Sequence, residues 1–193
     1  MPLDNLYRML PFLTMAGSLV YGIAKRSGVA IYFAVVMLTA DATCWFLKHG
    51  VFKNIYKILG KDILPIIGRG PRPLGATNCN FLPDTSGVPA TSFGMPSGHT
   101  CDIFLFATFW SLYIHHETNW SPLVRVSAQV GLFAIALLEG RSRITLGCHT
   151  WGQVWVGSLF GISFGILAYM FWSRRGSVVR ILKQFGGKYL GIR

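Results

Sequence analysis

Long apolar runs alternate with short polar and basic segments along this 193-residue chain. The clearest run, from Trp151 to Trp172, contains no formal charge and has a tryptophan at each end, which is typical of a membrane-spanning helix with interfacial anchors. Similar runs cover residues 28–47, 97–115 and 122–139, and a shorter one covers residues 10–24. Since a span needs about 20 mostly apolar residues, the pattern predicts an all-α, polytopic membrane bundle of about five transmembrane helices, forming a single domain over residues 1–193.

Composition supports a membrane protein, because 52% of the residues are hydrophobic and only 13% are charged. The run at residues 10–24 lacks a strongly basic start and a small-residue cleavage site, so we expect an uncleaved span instead of a signal peptide. The net charge of +11 would suggest nucleic acid in a soluble protein. Here the basic residues lie between the spans and in a tail at residues 173–193, so we expect lipid headgroups and no nucleic acid as partners.

The four cysteines occur in no C-x-x-C pair and in no metal-ligand spacing. We expect Cys44, Cys79, Cys101 and Cys148 to be unpaired packing residues. The phrase His115-His116-Glu117 resembles a metal-ligand set in residue type, but a solvated loop is the expected reading. The sequence therefore predicts no metal and no other cofactor.

Five alternating spans bring three polar segments to one side of the bilayer, which we name the active face. These segments are the long connection at residues 48–96, the start of the third span, and the turn at residues 140–149. The 18 Lys and Arg residues divide equally between the two faces. Setting aside those beside the candidate site leaves the basic tail as the cytoplasmic segment. We therefore expect the active face to be non-cytoplasmic, in the endoplasmic reticulum or another internal membrane.

The polar residues of the active face suit the binding and transfer of a phosphoryl group. A helix beginning at Ser97 presents free backbone N–H groups, and Gly98 allows a ligand to approach closely. Arg72 and Arg143 offer planar, bidentate donors to phosphate oxygens. Transfer without a metal needs a nucleophile and an acid, and the remaining pair of histidines, His149 and His99, suits these two roles. The amide of Gln153, four residues after His149, can accept a hydrogen bond from its ring.

These phrases resemble the signature of the type-2 phosphatidic-acid phosphatase superfamily, the lipid phosphate phosphatases, which reads K-x6-R-P, then P-S-G-H, then S-R-x5-H-x3-D. The matching segments here are "RP" at 72–73, "PSGH" at 96–99 and "SRITLGCH" at 142–149. The resemblance implies that His149 is the nucleophile and His99 the acid. It also implies that four residues hold the phosphate: Arg72, Ser97, Gly98 and Arg143.

Two departures from this signature affect the expected site. Gln153 replaces the acid that follows the nucleophilic histidine, and "HTWGQV" resembles the dolichyl-diphosphatase branch. Pro65 stands where the first lysine is expected, so that cation must come from Lys48, which we prefer, or from Lys61. Residues 51–68 have lysines at four-residue steps among apolar positions, which predicts an interfacial helix that acts as a lid or faces the headgroups.

Other polar and small residues within the spans also call for an explanation. A charged side chain inside a membrane is costly and often functional, so we expect Asp41, Asp102 and Glu139 to pair with cations of the site. Glycines at residues 157, 161 and 165 predict close helix packing, within the fold or between copies.

The functional prediction is a membrane lipid phosphatase that hydrolyses a phosphate or diphosphate ester through a phosphohistidine. A polyprenyl diphosphate such as dolichyl diphosphate is the favoured substrate. The alternatives are a phosphatidate-type lipid monophosphatase and, in another class, a catalytically inactive phospholipid-binding membrane protein. The haloperoxidases that share the three phrases are soluble and larger, so the five predicted spans disfavour their activity.

Overall fold

The protein is a bundle of helices. The computed structural model describes residues 2–59, 70–77, 79, 88, 90 and 92–190, and the side chains of all of these except residues 2–5 and 176–190. The helices are α1 (Pro2–Ala24), α2 (Gly28–Phe46), α3 (Lys53–Leu59), α4 (Gly98–Glu117), α5 (Pro122–Thr145) and α6 (Trp151–Leu190). The predicted all-α class is confirmed.

Five long helices cover the five predicted spans, although their ends differ. α1 begins eight residues before the predicted start, α5 continues six residues further, and α6 continues through most of the basic tail. Within the described part of the chain, three segments are long and apolar enough to cross a membrane: Gly28–Leu59, Pro122–Thr145 and Trp151–Arg175. α4 is not among these segments, because polar residues at both of its ends lower its mean hydropathy. They are His99 and Asp102 at one end and His115, His116 and Glu117 at the other.

The second span does not stop at the predicted lysine. A π-helical turn at Leu47–Phe52 follows α2 and leads directly into α3. Such turns are rare and frequently accompany functional sites, and this one contains Lys48. α3 forms the first part of the predicted interfacial helix, whereas residues 60–69, with Lys61 and Pro65, lie outside the described residues.

α4 is the central helix of the bundle, and its closest neighbour is α6. A Cβ atom added at Gly157 would lie 2.5 Å from the carbonyl oxygen of Ser97, and one at Gly165 would lie 2.7 Å from the Cβ of Thr108. Gly161 likewise packs against the α4 backbone at Cys101. The predicted glycine packing is thus confirmed within the fold, and it holds the N-terminus of α6 against that of α4.

The distribution of apolar side chains is that of a protein in lipid. The interior contains a compact cluster around Phe33, Leu105 and Phe109, which are fully buried. Many large apolar side chains point outward from the bundle; on α6, for example, Trp155, Leu159 and Phe171 are between 62% and 69% exposed. Such a surface would be unfavourable in water, and an apolar solvent accounts for it.

Candidate active site

A cavity of about 330 Å³ opens where α2 ends and α4 begins. Lys48, Arg72, Gly98, His99 and His149, five of the residues predicted to form the site, line it together. These residues come from four separate parts of the sequence, at residues 48, 72, 98–99 and 149, and the packing of α4 against α6 brings the last two together. Asp41, Cys44, Trp45, His49, Cys79 and Ser92 complete the wall.

Gln153 holds His149 by its Nδ1 atom. The distance from His149 Nδ1 to Gln153 Oε1 is 3.0 Å, and both side chains are buried. The Gln153 Nε2 group donates to the carbonyl oxygens of Pro71, at 2.7 Å, and Gly70, at 3.3 Å. Because only the NH₂ end of an amide can donate to carbonyls, Oε1 is the atom that faces the histidine and Nδ1 must carry the proton. The Nε2 lone pair of His149 is therefore the one available to a reacting atom.

The backbone at Gly94 is shaped around the same amide. A Cβ atom at this position would lie 2.6 Å from both Nε2 and Oε1 of Gln153. Any larger residue would have to displace the amide that orients His149. The glycine in "FGMPSGH" is therefore required by a close approach, and the sequence alone gives no sign of it.

Arg72 is held by several groups and points at the predicted nucleophile. Its Nε atom donates to the carbonyl and hydroxyl oxygens of Ser92, each at 3.1 Å, and its NH2 group donates to the same hydroxyl at 2.9 Å. Its NH1 group donates to the carbonyl of Cys148 at 3.0 Å and lies 3.1 Å from His149 Nε2. A guanidinium can only donate, so this last contact agrees with an unprotonated Nε2.

The site favours a neutral His149 beside a charged Arg72. Burial, followed by the positive charges of Arg72 and Lys48, lowers the pKa of His149 well below its usual value. Burial and the charge of Arg143 lower the pKa of Arg72 to about 10, so the guanidinium stays protonated at neutral pH. A neutral imidazole next to a fixed cation is the arrangement that a nucleophile attacking an anion requires.

The N-terminus of α4 forms another wall of the cavity. Ser97 is the residue before the first turn, and its N–H donates to the Gln153 carbonyl at 3.1 Å, which ties α4 to α6. Its hydroxyl is fully buried and lies 2.8 Å from the Thr100 hydroxyl. Of the "PSGH" phrase, Gly98 and His99 line the cavity directly. Ser97 therefore supports the wall from behind.

Arg143 lies behind the cavity wall and is fully buried. Its Nε atom is 3.2 Å from Glu139 Oε1, and its Nε and NH2 groups donate to the Ser142 hydroxyl at 3.2 and 3.1 Å. Its carbonyl oxygen accepts the N–H groups of Cys148 and His149, at 3.0 and 3.2 Å. The expected pairing of an intramembrane acid with a site cation is confirmed for Glu139.

Lys48 and Asp41 occupy the α2 side of the cavity. They are seven residues apart, so they lie on one face of the helix. Asp102 is buried one turn beyond His99, and its Oδ1 atom has no hydrogen-bond partner among the described residues. Of the two lysines that could supply the expected cation, Lys48 lines the cavity, and Lys61 lies outside the described residues.

The expectation of four unpaired cysteines is wrong for two of them. Cys79 and Cys148 form a disulfide next to the predicted nucleophile. The pairing depends on a contact across 69 residues, which spacing alone does not reveal. Cys44 and Cys101 are free and buried, as expected, with their sulfur atoms 2.9 Å apart.

Comparison with known proteins identifies the family. Residues 29–177 match the PAP2 superfamily. This chain belongs to the PAP2 superfamily. The sequence interpretation that rested on "RP", "PSGH" and "SR-x5-H" is thereby confirmed at the level of the family.

Curated PAP2 relatives differ in how much of the chain they match. Dolichyldiphosphatase 1 of Homo sapiens is 32% identical over 168 residues, which is 83% of this chain and 60% of the human protein. Lipid A 4'-phosphatase of Helicobacter pylori is 38% identical over 81 residues, or 42% of this chain and 34% of that protein. Dolichyldiphosphatase 1 of Dictyostelium discoideum is 35% identical over 83 residues, 40% of this chain and 35% of that protein. The chain thus spans about 60% of the length of the human relative, and no solved structure matches it significantly.

Proposed function

We propose that this PAP2 protein is a membrane lipid phosphatase that works through a phosphohistidine and needs no metal. The observation that carries the proposal is one cavity lined by His99, His149 and two cations, in which His149 presents its Nε2 atom and Gln153 holds its Nδ1 atom. The many large apolar side chains exposed on the bundle support a membrane environment for the protein. The substrate is accordingly a lipid with an anionic phosphoryl headgroup.

In the first step, His149 Nε2 attacks the terminal phosphorus atom of the substrate. Arg72 transfers the NH1 hydrogen bond that it makes with Nε2 to a phosphoryl oxygen, and Lys48 and the N-terminus of α4 share the developing charge. The bond from phosphorus to the lipid-side oxygen breaks, and His99 gives that oxygen a proton. The products of this step are the released lipid and a phosphohistidine at His149.

In the second step, water hydrolyses the phosphohistidine. His99, now neutral, takes a proton from the attacking water, and the new oxygen–phosphorus bond replaces the nitrogen–phosphorus bond. His149 regains its lone pair, and His99 regains its proton. The proton stays on His149 Nδ1 in both steps, because Gln153 Oε1 accepts a hydrogen bond from Nδ1–H. The Gln153 amide cannot turn over, because its Nε2 group donates to the Pro71 carbonyl.

A polyprenyl diphosphate such as dolichyl diphosphate is the favoured substrate. The support is the name of the human relative that matches 83% of this chain, together with the "HTWGQV" phrase. With this substrate the leaving group is a lipid monophosphate. The alternative, a phosphatidate-type monophosphatase, predicts a preference for phosphatidate. Release of inorganic phosphate from the two lipids by purified protein in mixed micelles distinguishes these activities.

The test of the mechanism is His149→Ala, with His115→Ala as the matched control. His115 is an exposed histidine at the other end of α4. Turnover of a lipid diphosphate is expected to disappear in the first variant and to persist in the second. Retention of turnover by His149→Ala contradicts the mechanism. Rapid acid-free quenching with a labelled terminal phosphate is expected to trap label on the wild-type protein. A failure of the wild type to turn over or trap any lipid phosphate favours the inactive lipid-binding alternative.

We also propose that the active face is non-cytoplasmic. The disulfide between Cys79 and Cys148 supports this orientation, since disulfides persist in oxidising compartments. The sequon Asn119-Trp120-Ser121 lies on the opposite face, between α4 and α5. Expression in a glycosylating cell is therefore expected to leave Asn119 unmodified. A glycan on Asn119, removable by an endoglycosidase, contradicts the orientation.

A further inference from the structure

The nucleophile lies in a short turn between α5 and α6 that is tied to a distant segment. His149 follows Cys148 directly, and Cys148 is joined by its disulfide to Cys79, 69 residues earlier, with the two Cα atoms 5.5 Å apart. Both cysteines are buried, and Cys79 lines the catalytic cavity. The disulfide therefore joins the wall of the cavity to the residue that precedes the nucleophile.

Hydrogen bonds join the same two segments on either side of this covalent link. Arg72 donates from one NH1 group to the Cys148 carbonyl, at 3.0 Å, and contacts His149 Nε2, at 3.1 Å. In the opposite direction, the Nε2 group of Gln153 on α6 donates hydrogen bonds to the carbonyls of Gly70 and Pro71. The segment at residues 70–79 thus supplies both the cation beside the nucleophile and the acceptors that fix its orienting amide.

Among the described residues, the apolar cluster around the disulfide is small. Ala76, Cys79 and Cys148 pack with Ala90 and Leu146. The turn itself contains Gly147 with φ +67°, a left-handed conformation that favours glycine. Within the described part of the chain, the contacts that position this turn relative to residues 70–77 and 79 are this cluster, the hydrogen bonds and the covalent link.

We propose that the Cys79–Cys148 disulfide is a positioning element for the proposed phosphoryl transfer, holding His149 Nε2 against the guanidinium of Arg72. The inference rests on the proposed function. Near-attack geometry is strict: a displacement of about 1 Å at a reacting atom can cost about 100-fold in rate. Reduction removes the covalent link and leaves the hydrogen bonds, so binding of the phosphoryl group survives while its transfer slows.

Reduction of the Cys79–Cys148 disulfide is a two-electron thiol–disulfide exchange. One thiolate of a dithiol reductant such as dithiothreitol attacks one sulfur atom, which releases the other cysteine and forms a mixed disulfide. The second thiol of the reductant then attacks the reductant's own sulfur atom in the mixed disulfide and releases the remaining cysteine. The reductant leaves as a cyclic disulfide, and Cys79 and Cys148 become thiols. Since Cys79 lines the cavity, the reductant reaches the bond through the substrate site. Inorganic phosphate bound there is expected to slow the reduction.

The first experiment reduces folded, purified protein in micelles and measures turnover of a lipid diphosphate. Reduction is expected to lower kcat by up to about 100-fold, the cost of a displacement of about 1 Å at a reacting atom. KM is expected to change by less than about threefold, because the groups that bind the substrate are retained. The Cys79→Ser/Cys148→Ser double variant provides the control. It keeps Cys44 and Cys101, so it is expected to match the reduced wild type and to show no further response to reductant. A response by the double variant assigns the effect to the other cysteines and overturns the proposal.

A second measurement separates positioning from general loosening of the fold. Inorganic phosphate needs the cations of the site, whereas orthovanadate also takes a fifth ligand from the nucleophile, as a transition-state analogue does. The reductant is removed before vanadate is added, because thiols reduce vanadate. Reduction of the disulfide is then expected to weaken inhibition by vanadate at least tenfold more than inhibition by phosphate. Equal losses for the two anions, or unchanged kcat after complete reduction, overturn the positioning role. Absence of turnover in untreated protein contradicts the proposed function instead. In that case, the positioning role is decided by comparing vanadate binding to the oxidised protein with vanadate binding to the reduced protein.

Discussion

Substitution of Gln153 by methionine tests the part of the site that departs most from the family signature. Methionine has a similar length, but it cannot donate to the Pro71 carbonyl and accepts only weakly from His149 Nδ1. In the wild type these two bonds measure 2.7 and 3.0 Å. A buried donor left without a partner costs about 1–3 kcal/mol. We expect this cost to reduce the population of correctly oriented His149. Since about 1.4 kcal/mol corresponds to a tenfold change in rate, kcat is expected to fall about 5- to 150-fold.

The assay is release of inorganic phosphate from a polyprenyl diphosphate, with kcat and KM determined separately. Gln129→Met is the matched control, because the Gln129 amide also bonds a carbonyl of a neighbouring helix, Ser111, at 3.1 Å, but lies away from the cavity. KM is expected to change little in either variant. A Gln153→Met variant with the kcat of Gln129→Met would refute the orienting role of the amide.

Gln153→Glu separates the two ends of the same side chain. A carboxylate still accepts from His149 Nδ1, but its second oxygen would face the Pro71 carbonyl without a proton between them. The charge also stabilises an imidazolium and therefore raises the pKa of His149 above its wild-type value. The acid limb of kcat/KM is therefore expected to move to higher pH in this variant. An acid limb at the wild-type position would show that residue 153 does not contact the nucleophile.

Three further predictions concern the site and its frame. Because burial and nearby cations lower the pKa of His149, the acid limb of wild-type kcat/KM that reports this group is expected well below pH 6.5, and a limb at or above that value contradicts the assignment. Ser92→Ala removes the hydroxyl that accepts two guanidinium hydrogen bonds, so kcat/KM is expected to fall about 5- to 20-fold, whereas Ser163→Ala, which loses only a bond within its own helix, is expected to be neutral. Gly161→Ala forces α6 away from α4 and is expected to lower the melting temperature in detergent, whereas Gly131→Ala, with no atom near its added Cβ, is not; equal melting temperatures would contradict the packing.

The sequence predicted which residues meet in the cavity better than how they are held there. The helices, the convergence of Lys48, Arg72, His99 and His149, and the role of Gln153 as the partner of His149 all follow from apolar periodicity and ordered phrases. These features are local, or are fixed by the alternation of spans. The described residues also show the limits of that reasoning, since α6 continues beyond the predicted span into the basic tail.

The groups that sequence reasoning missed all depend on contacts between distant segments. Ser92 holds Arg72 from 20 residues away, and nothing in its neighbourhood distinguishes it from other serines. Cys79 and Cys148 meet only because residues 70–79 pack against the turn before α6. Gly94 is required by an amide on another helix. Spacing carries no information about such pairs, because it is the assembled bundle that brings them together.

The two arginines, which the sequence treated alike, have different electrostatic surroundings. The hydrogen-bond acceptors of Arg72 in the described structure are neutral, namely Ser92, the Cys148 carbonyl and His149, so its charge is available to a substrate anion. The charge of Arg143 is opposed by Glu139, at 3.2 Å, and both side chains are fully buried. Under the proposed function, Arg72 is therefore the arginine that a phosphoryl group in the cavity would meet, whereas Arg143 anchors the turn through its carbonyl oxygen.

Glu139→Gln tests this division of roles. Removing one partner of a buried ion pair costs about 3–5 kcal/mol, because the remaining charge is uncompensated, whereas replacing both partners with apolar groups is often neutral. Glu139→Gln is therefore expected to lower the melting temperature sharply, and the exposed control Glu117→Gln is not. Combining Glu139→Gln with Arg143→Met is expected to recover much of the stability without recovering turnover, since the field on the phosphoryl group is lost. A double variant no more stable than Glu139→Gln alone would show that Arg143 contributes packing and hydrogen bonds that outweigh its charge.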